Sequence, residues 1–449
     1  MKHLQQTTPI HRVIAFIAYC KTVFGSYSLC TLFGMALLLA NSWYSAAQDW
    51  TKRHDFAKTY VGISNYLVPN NTQGYYLNQN GTTSTFNREG YMATAIDIGA
   101  THFWGFADLY VSINTTQLKF QDEKITNNFD FGTFTGLRIY PWALHSNKVR
   151  PFMGYKFSPF RYLQKNTNQE QFQYTKVKSV YDFGIGFQWN NFYATAAYNF
   201  TPNTSFRSYI SKQQSVSDTF PKHWFQLAVN YSFETTRTAD NPTSKAANTY
   251  FATTNKHGLF LALGPSSAFP IKSSSYISNE AAYFDNKPMP NLFPDMALGY
   301  HFLKAETVLA LSYRPMVQHR KAFGELLSVN RQSVLLEGYK FLFDYHGFAP
   351  YIGLGLSSET LSANSSLTPK PTVKNTEQWA TAIVFGWDIR PSVRGDWWLL
   401  RTNLRYFPKL QLNYGQNALS FQHLEFNFIQ FVWYPQKMKW HKKQAQREL

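Results

Sequence analysis

The feature that most constrains this chain is an alternation of apolar and polar residues with period two, repeated along almost its whole length. In 181–189, Tyr181, Phe183, Ile185, Phe187 and Trp189 alternate with Asp182, Gly184, Gly186 and Gln188. In 224–233, Phe225, Leu227, Val229, Tyr231 and Phe233 alternate with Trp224, Gln226, Ala228, Asn230 and Ser232. Successive side chains of a strand point to opposite faces, so each stretch has one greasy and one wet side. Such stretches fall near 59–68, 93–103, 105–114, 128–140, 149–158, 174–189, 191–200 and 223–234. They recur near 257–264, 294–302, 305–314, 331–343, 348–357, 378–388, 397–407 and 421–433. No segment sustains a helical stripe, so the expected class is all-β.

The connections alternate too. Short ones lie at His102 to Gly105, Pro141 to Lys148, Trp189 to Asn191, Phe302 to Ala305, Asp344 to Gly347 and Asp388 to Asp396. Between them come long ones at 69–92, 115–127, 159–173, 201–222, 265–293, 315–330, 358–377 and 408–420. Short turns at one end and long loops at the other is the arrangement of a transmembrane antiparallel β-barrel. Closure leaves no edge strand and satisfies every backbone group inside lipid.

The unit is written twice, over roughly 58–234 and 257–434. Pro151-Phe152-Met153-Gly154-Tyr155 matches Pro350-Tyr351-Ile352-Gly353-Leu354, and Gly136-Leu137-Arg138 matches Gly338-Tyr339-Lys340. Ala95-Ile96-Asp97-Ile98-Gly99 matches Asp295-Met296-Ala297-Leu298-Gly299. Kept order and spacing point to an internal duplication. Two architectures fit: one barrel of about sixteen strands, which is favoured, or two eight-stranded barrels in tandem. Glycines at Gly132, Gly136, Gly184, Gly186, Gly353, Gly355 and Gly386, with Phe106, Tyr110 and Phe134, are expected to face inward.

The longest apolar run, Leu29 to Ala40, follows Lys2, Arg12 and Lys21 and precedes Ser45-Ala46-Ala47. This reads as a secretory signal over 1–47, cleaved after Ala47. The expected organisation is then a first barrel repeat (48–234), a periplasmic linker (235–256), a second repeat (257–434) and a basic tail (435–449). Cys20 and Cys30 both lie in the signal, so the remaining chain has no thiol chemistry. Without residues 1–47 it keeps 40 basic and 26 acidic side chains, a net +14. The basic residues are scattered and carry no binding motif, so no nucleic-acid partner is expected.

Charged residues expected to line the interior are Asp97, Asp108, Arg138, Arg150, Lys156, Lys176, Lys178, Asp182, Lys340, Arg401, Arg405 and Glu425. In a wide barrel they would border a water-filled path, with Arg401, Arg405, Arg138, Lys176 and Lys178 favouring anions. In a narrow one they would pair and plug it. Trp104, Tyr140, Trp142, Trp189, Trp387, Trp397, Trp398, Trp433 and Tyr434 sit at strand ends, where an aromatic girdle lies. His423 and Glu425 share a face, and His102 and His301 occupy matching ends. No nucleophile is placed beside them, so no enzyme, metal or cofactor is expected.

With its signal, alternation, sorted loops and aromatic ends, 58–434 resembles the outer-membrane β-barrels of Gram-negative bacteria, in particular porin-like barrels or a duplicated OmpW- or OmpX-type barrel. The last strand, Glu425 to Tyr434, is similar to the aromatic terminal signal read by barrel assembly machinery, although fifteen residues follow it. The resemblance implies export to the outer membrane, contact with its lipid and lipopolysaccharide, and passive passage of small solutes. Its alternatives are a non-conducting structural or adhesive surface barrel and, third, a lipid-modifying enzyme.

Overall fold

The computed structural model describes residues 57–446 with short interruptions, the longest at 235–241 and 286–291; the signal reading falls outside them. The first half contains β1 (Ala57–Val68), β2 (Gln73–Leu77), β3 (Thr83–Asn87), β4 (Tyr91–His102), β5 (Ala107–Asn114), β6 (Leu118–Gln121), β7 (Ile125–Phe131), β8 (Phe134–Ile139), β9 (Val149–Asn166), β10 (Gln171–Trp189), β11 (Phe192–Phe200), β12 (Ser205–Tyr209), β13 (Ser215–Thr219) and β14 (His223–Glu234). Helix α1 (Pro242–Thr253) joins it to the second half. There follow β15 (Leu259–Pro270), helix α2 (Ser275–Glu280), β16 (Phe293–Phe302), β17 (Thr307–Ala322), β18 (Glu325–Phe341), β19 (Phe348–Ser365), β20 (Thr372–Ile389), β21 (Trp398–Phe407), β22 (Gln411–Tyr414), β23 (Asn417–Ser420), β24 (His423–Trp433) and helix α3 (Pro435–Ala445).

All wall pairings are antiparallel. Around the first half the order is β1, β4, β5, β8, β9, β10, β11 and β14, with β6 and β7 lengthening the wall at β9. β14 then returns to β1, from Thr59↔Phe233 to Leu67↔Phe225. The second half runs β15 to β21 and then β24, which pairs with β15 from Leu261↔Trp433 to Pro270↔His423. Each half thus closes on itself as an eight-stranded barrel. The favoured single wall of about sixteen strands is corrected on this point. Eight strands suffice for closure when the interior is filled by side chains, and each first strand finds its partner within its own half. The barrels meet near their long-loop ends, where Phe172 bridges Ala322, Phe172 stacks on Phe323 at 6.4 Å and Lys212 Nζ lies 2.8 Å from Glu325.

The outward faces are the apolar ones. Leu227, Val229, Ile185, Leu263, Leu311 and Leu354 are 49–69% exposed. Their strand neighbours Gln226, Asn230, Asp182, Ser312 and Ser357 are buried. This inverts the layout of a water-soluble sandwich and fits a hydrocarbon surround. Among the described residues no helix is long and apolar enough to cross a membrane; the strands supply the crossing elements.

Several expectations change. Three helices form where no helical stripe was read: α1 in the linker, α2 in a long loop and α3 in the basic tail. Trp440 of α3 stacks on Tyr250 of α1 at 5.6 Å, so side chains too sparse for a stripe still make a small apolar contact. Much of the long-loop sequence is strand: β17 and β18 run on to a tight turn at Phe323-Gly324, both with positive φ. Phe106 faces outward at 37% exposure, because the chain turns there before β5 begins. Tyr140 and Tyr434 are buried and leave the girdle, which Trp142 and Trp189 join as exposed members. Trp104 lies outside the described residues.

Candidate functional site: the two barrel interiors

Inward parity gathers the charged residues of each half into one interior. In the first barrel Asp97, Asp108, Arg138, Arg150, Lys156, Lys178 and Asp182 are at most 7% exposed, and Lys176 is half-buried. Arg138 on β8 donates from Nε to Asp182 at 2.9 Å and from Nη2 to Gln226 at 3.2 Å. β8 and β14 stand four positions apart in the ring of eight, so the Gln226 bond crosses the full width of the barrel. Lys156 Nζ reaches the same Gln226 oxygen at 3.2 Å. Asp97 accepts from Ser64 at 2.9 Å and Ser112 at 2.5 Å.

On the short-turn side of this network, the Tyr140 and Tyr193 hydroxyls share a hydrogen bond of 2.6 Å. Arg150 lies 3.5 Å from the Tyr140 ring centroid, and Asp108 accepts from the Tyr140 hydroxyl. Toward the long loops the filling becomes aromatic. Phe131 meets Trp224 from the opposite wall at 5.4 Å and Phe160 at 5.1 Å. The β12–β13 hairpin folds down onto this layer, placing Phe206 4.3 Å from Phe220 and Phe220 4.9 Å from Phe160. Arg88, beside the β2–β3 hairpin, makes a two-pronged bond to Asp218 of β13 at 2.6 and 2.8 Å.

The second interior is more heavily charged. Arg331 on β18 donates to Glu425 on β24, again four places around the ring, and grips Glu359 with Nε and Nη2 at 2.7 and 2.8 Å. Arg314 also donates to Glu425, and Ser333 bonds both Arg314 and Glu359 at 2.8 Å. Nearer the short turns, Arg405 bonds Glu337 and Asp295, while Arg401 holds Asp388 with both prongs at 2.6 and 2.9 Å. Arg401 also lies over the rings of Phe260 and Tyr339.

Of the twelve residues expected in the interior, Lys340 alone faces outward; it is exposed, and its Nζ donates to the Ala305 carbonyl at 3.0 Å. The acids Asp295, Glu337, Glu359 and Asp388 and the cations Arg314 and Arg331 belong to the interior and were not placed there from sequence. Parity along β18 holds the missing signal. With Val334 and Leu336 outward, Arg331, Glu337 and Tyr339 must point in and Lys340 out. Each arginine of the supposed anion-favouring row has a carboxylate partner: the expected Asp182 for Arg138, and the added acids Asp388 for Arg401 and Glu337 for Arg405. His423, which shares its face with Glu425, lies 2.9 Å from Arg331 Nη1 and is part of the same cluster. His102 and His301, at the matching strand ends, are buried. Among the described residues no cluster of metal-ligating side chains occurs.

No protein-family model matches this sequence. No curated protein matches it either. Among solved structures the neighbours are outer-membrane β-barrels. Neisserial surface protein A aligns with 39% of this chain and 97% of its own, at 14% identity and a TM-score of 0.28. The N-terminal β-barrel domain of Pseudomonas aeruginosa OprF aligns with 39% and 99%, at 13% identity and 0.23. An outer-membrane channel from Pseudomonas putida F1 aligns with 87% and 99%, at 8% identity and 0.21. Scores this low carry no argument, and the barrel assignment rests on strand pairing and the direction of the side chains.

Proposed function

We propose that the protein is a non-conducting outer-membrane anchor, two plugged barrels that hold a joined long-loop surface on the cell exterior. The observation that carries this reading is the Arg331–Glu425 bridge between opposite strands of the second barrel, matched by Arg138–Gln226 in the first. In a ring of eight strands, a contact between opposite walls leaves little width for a solute path. Passage of small solutes would require these bridges to break, and separating one partner of a buried ion pair costs about 3–5 kcal/mol. The role then passes to the long-loop end. There the β12–β13 hairpin, α2 and the β22–β23 hairpin form caps, and the barrel-to-barrel contact joins them into one surface. The chemistry supports binding rather than catalysis: His423 and Glu425 are both engaged by arginine.

The test is conductance of the refolded protein in a planar bilayer, with folding checked by heat-modifiable gel mobility. The folded protein is expected to give no steps at moderate voltage. Large, stable steps from folded protein would overturn the reading and restore a channel.

A further inference from the structure

Lys340, wrongly expected in the interior, marks a second feature. It faces out from β18 at the short-turn end, beside the turn that carries the exposed Lys304, and its Nζ reaches that turn through Ala305. The outward column of β18 runs from Lys340 through Gly338 to Leu336 and Val334. On the neighbouring β17 it runs from Thr307 through Leu309 to Leu311 and Tyr313. At Gly338 the wall has no side chain, and a Cβ built there would meet nothing closer than the Val308 carbonyl at 3.9 Å. Past the exposed Leu336, which pairs with Leu311, the wall carries an apolar groove of about 590 Å³, bordered by Leu261, Leu298, Leu311, Tyr313, Val334 and Phe431. From Lys340 to Leu336 is four residues, about 13 Å along a strand. That matches the span from a phospholipid phosphate through its glycerol into an acyl chain.

We infer that this wall binds one anionic phospholipid from the leaflet on the short-turn side. Its phosphate sits between Lys304 and Lys340, and one acyl chain lies across Gly338 into the groove. Three observations favour a lipid here. The groove opens on the membrane-facing side of the barrel, where hydrocarbon chains are the molecules at hand. The water-side end of the same wall carries two lysines, and the acid of that turn, Glu306, is engaged by Arg390 and His301. Leu336, two residues on from Gly338, pairs with Leu311 at the groove's edge, so outward apolar side chains lead from Gly338 toward it. Tyr300 and Phe302, in edge contact at 5.0 Å on the adjacent β16, lie at the same level as the lysines and suit the headgroup boundary. The inference needs only a membrane-spanning second barrel, and it stands whether or not the interior conducts.

The experiment is native mass spectrometry of the full chain in detergent doped with phosphatidylglycerol or phosphatidylcholine, with heat-modifiable mobility reporting folding. One phosphatidylglycerol is expected to stay bound at a collision energy that strips phosphatidylcholine. The double variant K304Q/K340Q is expected to lower that retention about thirtyfold, at the usual contribution of a lysine near an anionic headgroup. G338L, which blocks the chain's path but keeps both charges, should lower retention as well. K409Q, at the opposite end of the barrel, should leave it unchanged. Equal retention of both lipids, or wild-type retention in folded K304Q/K340Q and G338L, would overturn the site.

Discussion

Arg405 holds two acids at once: Nε and Nη2 donate to Glu337 at 2.8 and 2.9 Å, while Nη1 donates to Asp295 at 2.6 Å. The acids come from β18 and β16, each three places around the ring from β21, so one guanidinium ties three parts of the wall together. Arg405→Met is therefore expected to destabilise the protein by about 3–5 kcal/mol, because two carboxylates lose their cation together. Replacing Arg405, Glu337 and Asp295 all by apolar residues of similar size should cost much less. Urea unfolding in detergent micelles, followed by gel mobility, measures both. A triple variant no more stable than the single one would show that the cluster does more than neutralise itself.

Arg88 and Asp218 make the corresponding link at the outer end of the first barrel, between the ends of two hairpins rather than two walls. Both are buried, and Arg88 lies 5.4 Å from the Tyr162 ring centroid. Asp218→Ala is expected to free the β2–β3 and β12–β13 hairpins while the barrel below stays closed. Limited proteolysis should then cut within 73–87 or 205–219 about a hundredfold faster, the local opening equivalent of losing a buried pair. Unchanged cleavage would mean that the aromatic layer under the hairpin, Phe206 on Phe220, holds it unaided.

Gly99 and Gly299 show the two halves solving one packing problem in the same way. A Cβ at Gly99 would run into the Tyr60 ring, and one at Gly299 into the Phe260 ring, each ring reaching across from the preceding wall strand. Glycine is required here by the close approach of an aromatic, since neither position has a positive φ. Gly99→Ala and Gly299→Ala should each destabilise by about 1–3 kcal/mol through overpacking. The ring-truncated pairs, Tyr60→Leu with Gly99→Ala and Phe260→Leu with Gly299→Ala, should recover part of the loss. Urea midpoints of the four variants test this.

How much of this was legible beforehand depended on parity. Where three or more outward residues were unmistakable, as with Phe183, Ile185 and Phe187, the inward set followed and Asp182 was placed correctly. Motif matching misled at Gly338-Tyr339-Lys340. Arg138 pairs with Gly154 and Tyr339 with Gly353, so the structural counterpart of Arg138 is Tyr339, one residue before the lysine it was matched to. A shift of one residue exchanges the two faces of a strand. It sent Lys340 inward on paper and hid Glu337. The division into two barrels was not legible either, because alternation fixes which face a residue takes and says nothing of which strand closes the ring. The loop extensions of β17 and β18 were missed because residues such as Gln318, His319, Arg320 and Lys321 lack the apolar set that marks a strand in lipid. Above the membrane both faces can be polar.

Phe323 is the residue where barrel contact and local backbone conflict most plainly. It begins the tight turn between β17 and β18 with φ of 50°, a conformation that favours asparagine or glycine over an aromatic. Its ring stacks on Phe172 of the first barrel at 6.4 Å and meets Tyr283 edge-on at 5.9 Å. The turn at Phe323-Gly324 is therefore held by packing both on Tyr283 of its own half and on Phe172 of the other barrel. Phe323→Asn should relax the turn yet weaken the joint. Gly324→Ala should act on the turn alone, by about 1 kcal/mol, because nothing lies within 4 Å of a Cβ there. A disulfide-trapping assay between cysteines placed at Lys212 and Glu325, which are ion-paired across the joint, separates the two effects. Trapping should fall in the Phe323→Asn background and hold in Gly324→Ala. Equal trapping in both would mean that the Phe172–Ala322 bridge and the rest of the joint hold the barrels together without the aromatic stack, since the two cysteines remove the Lys212–Glu325 ion pair itself.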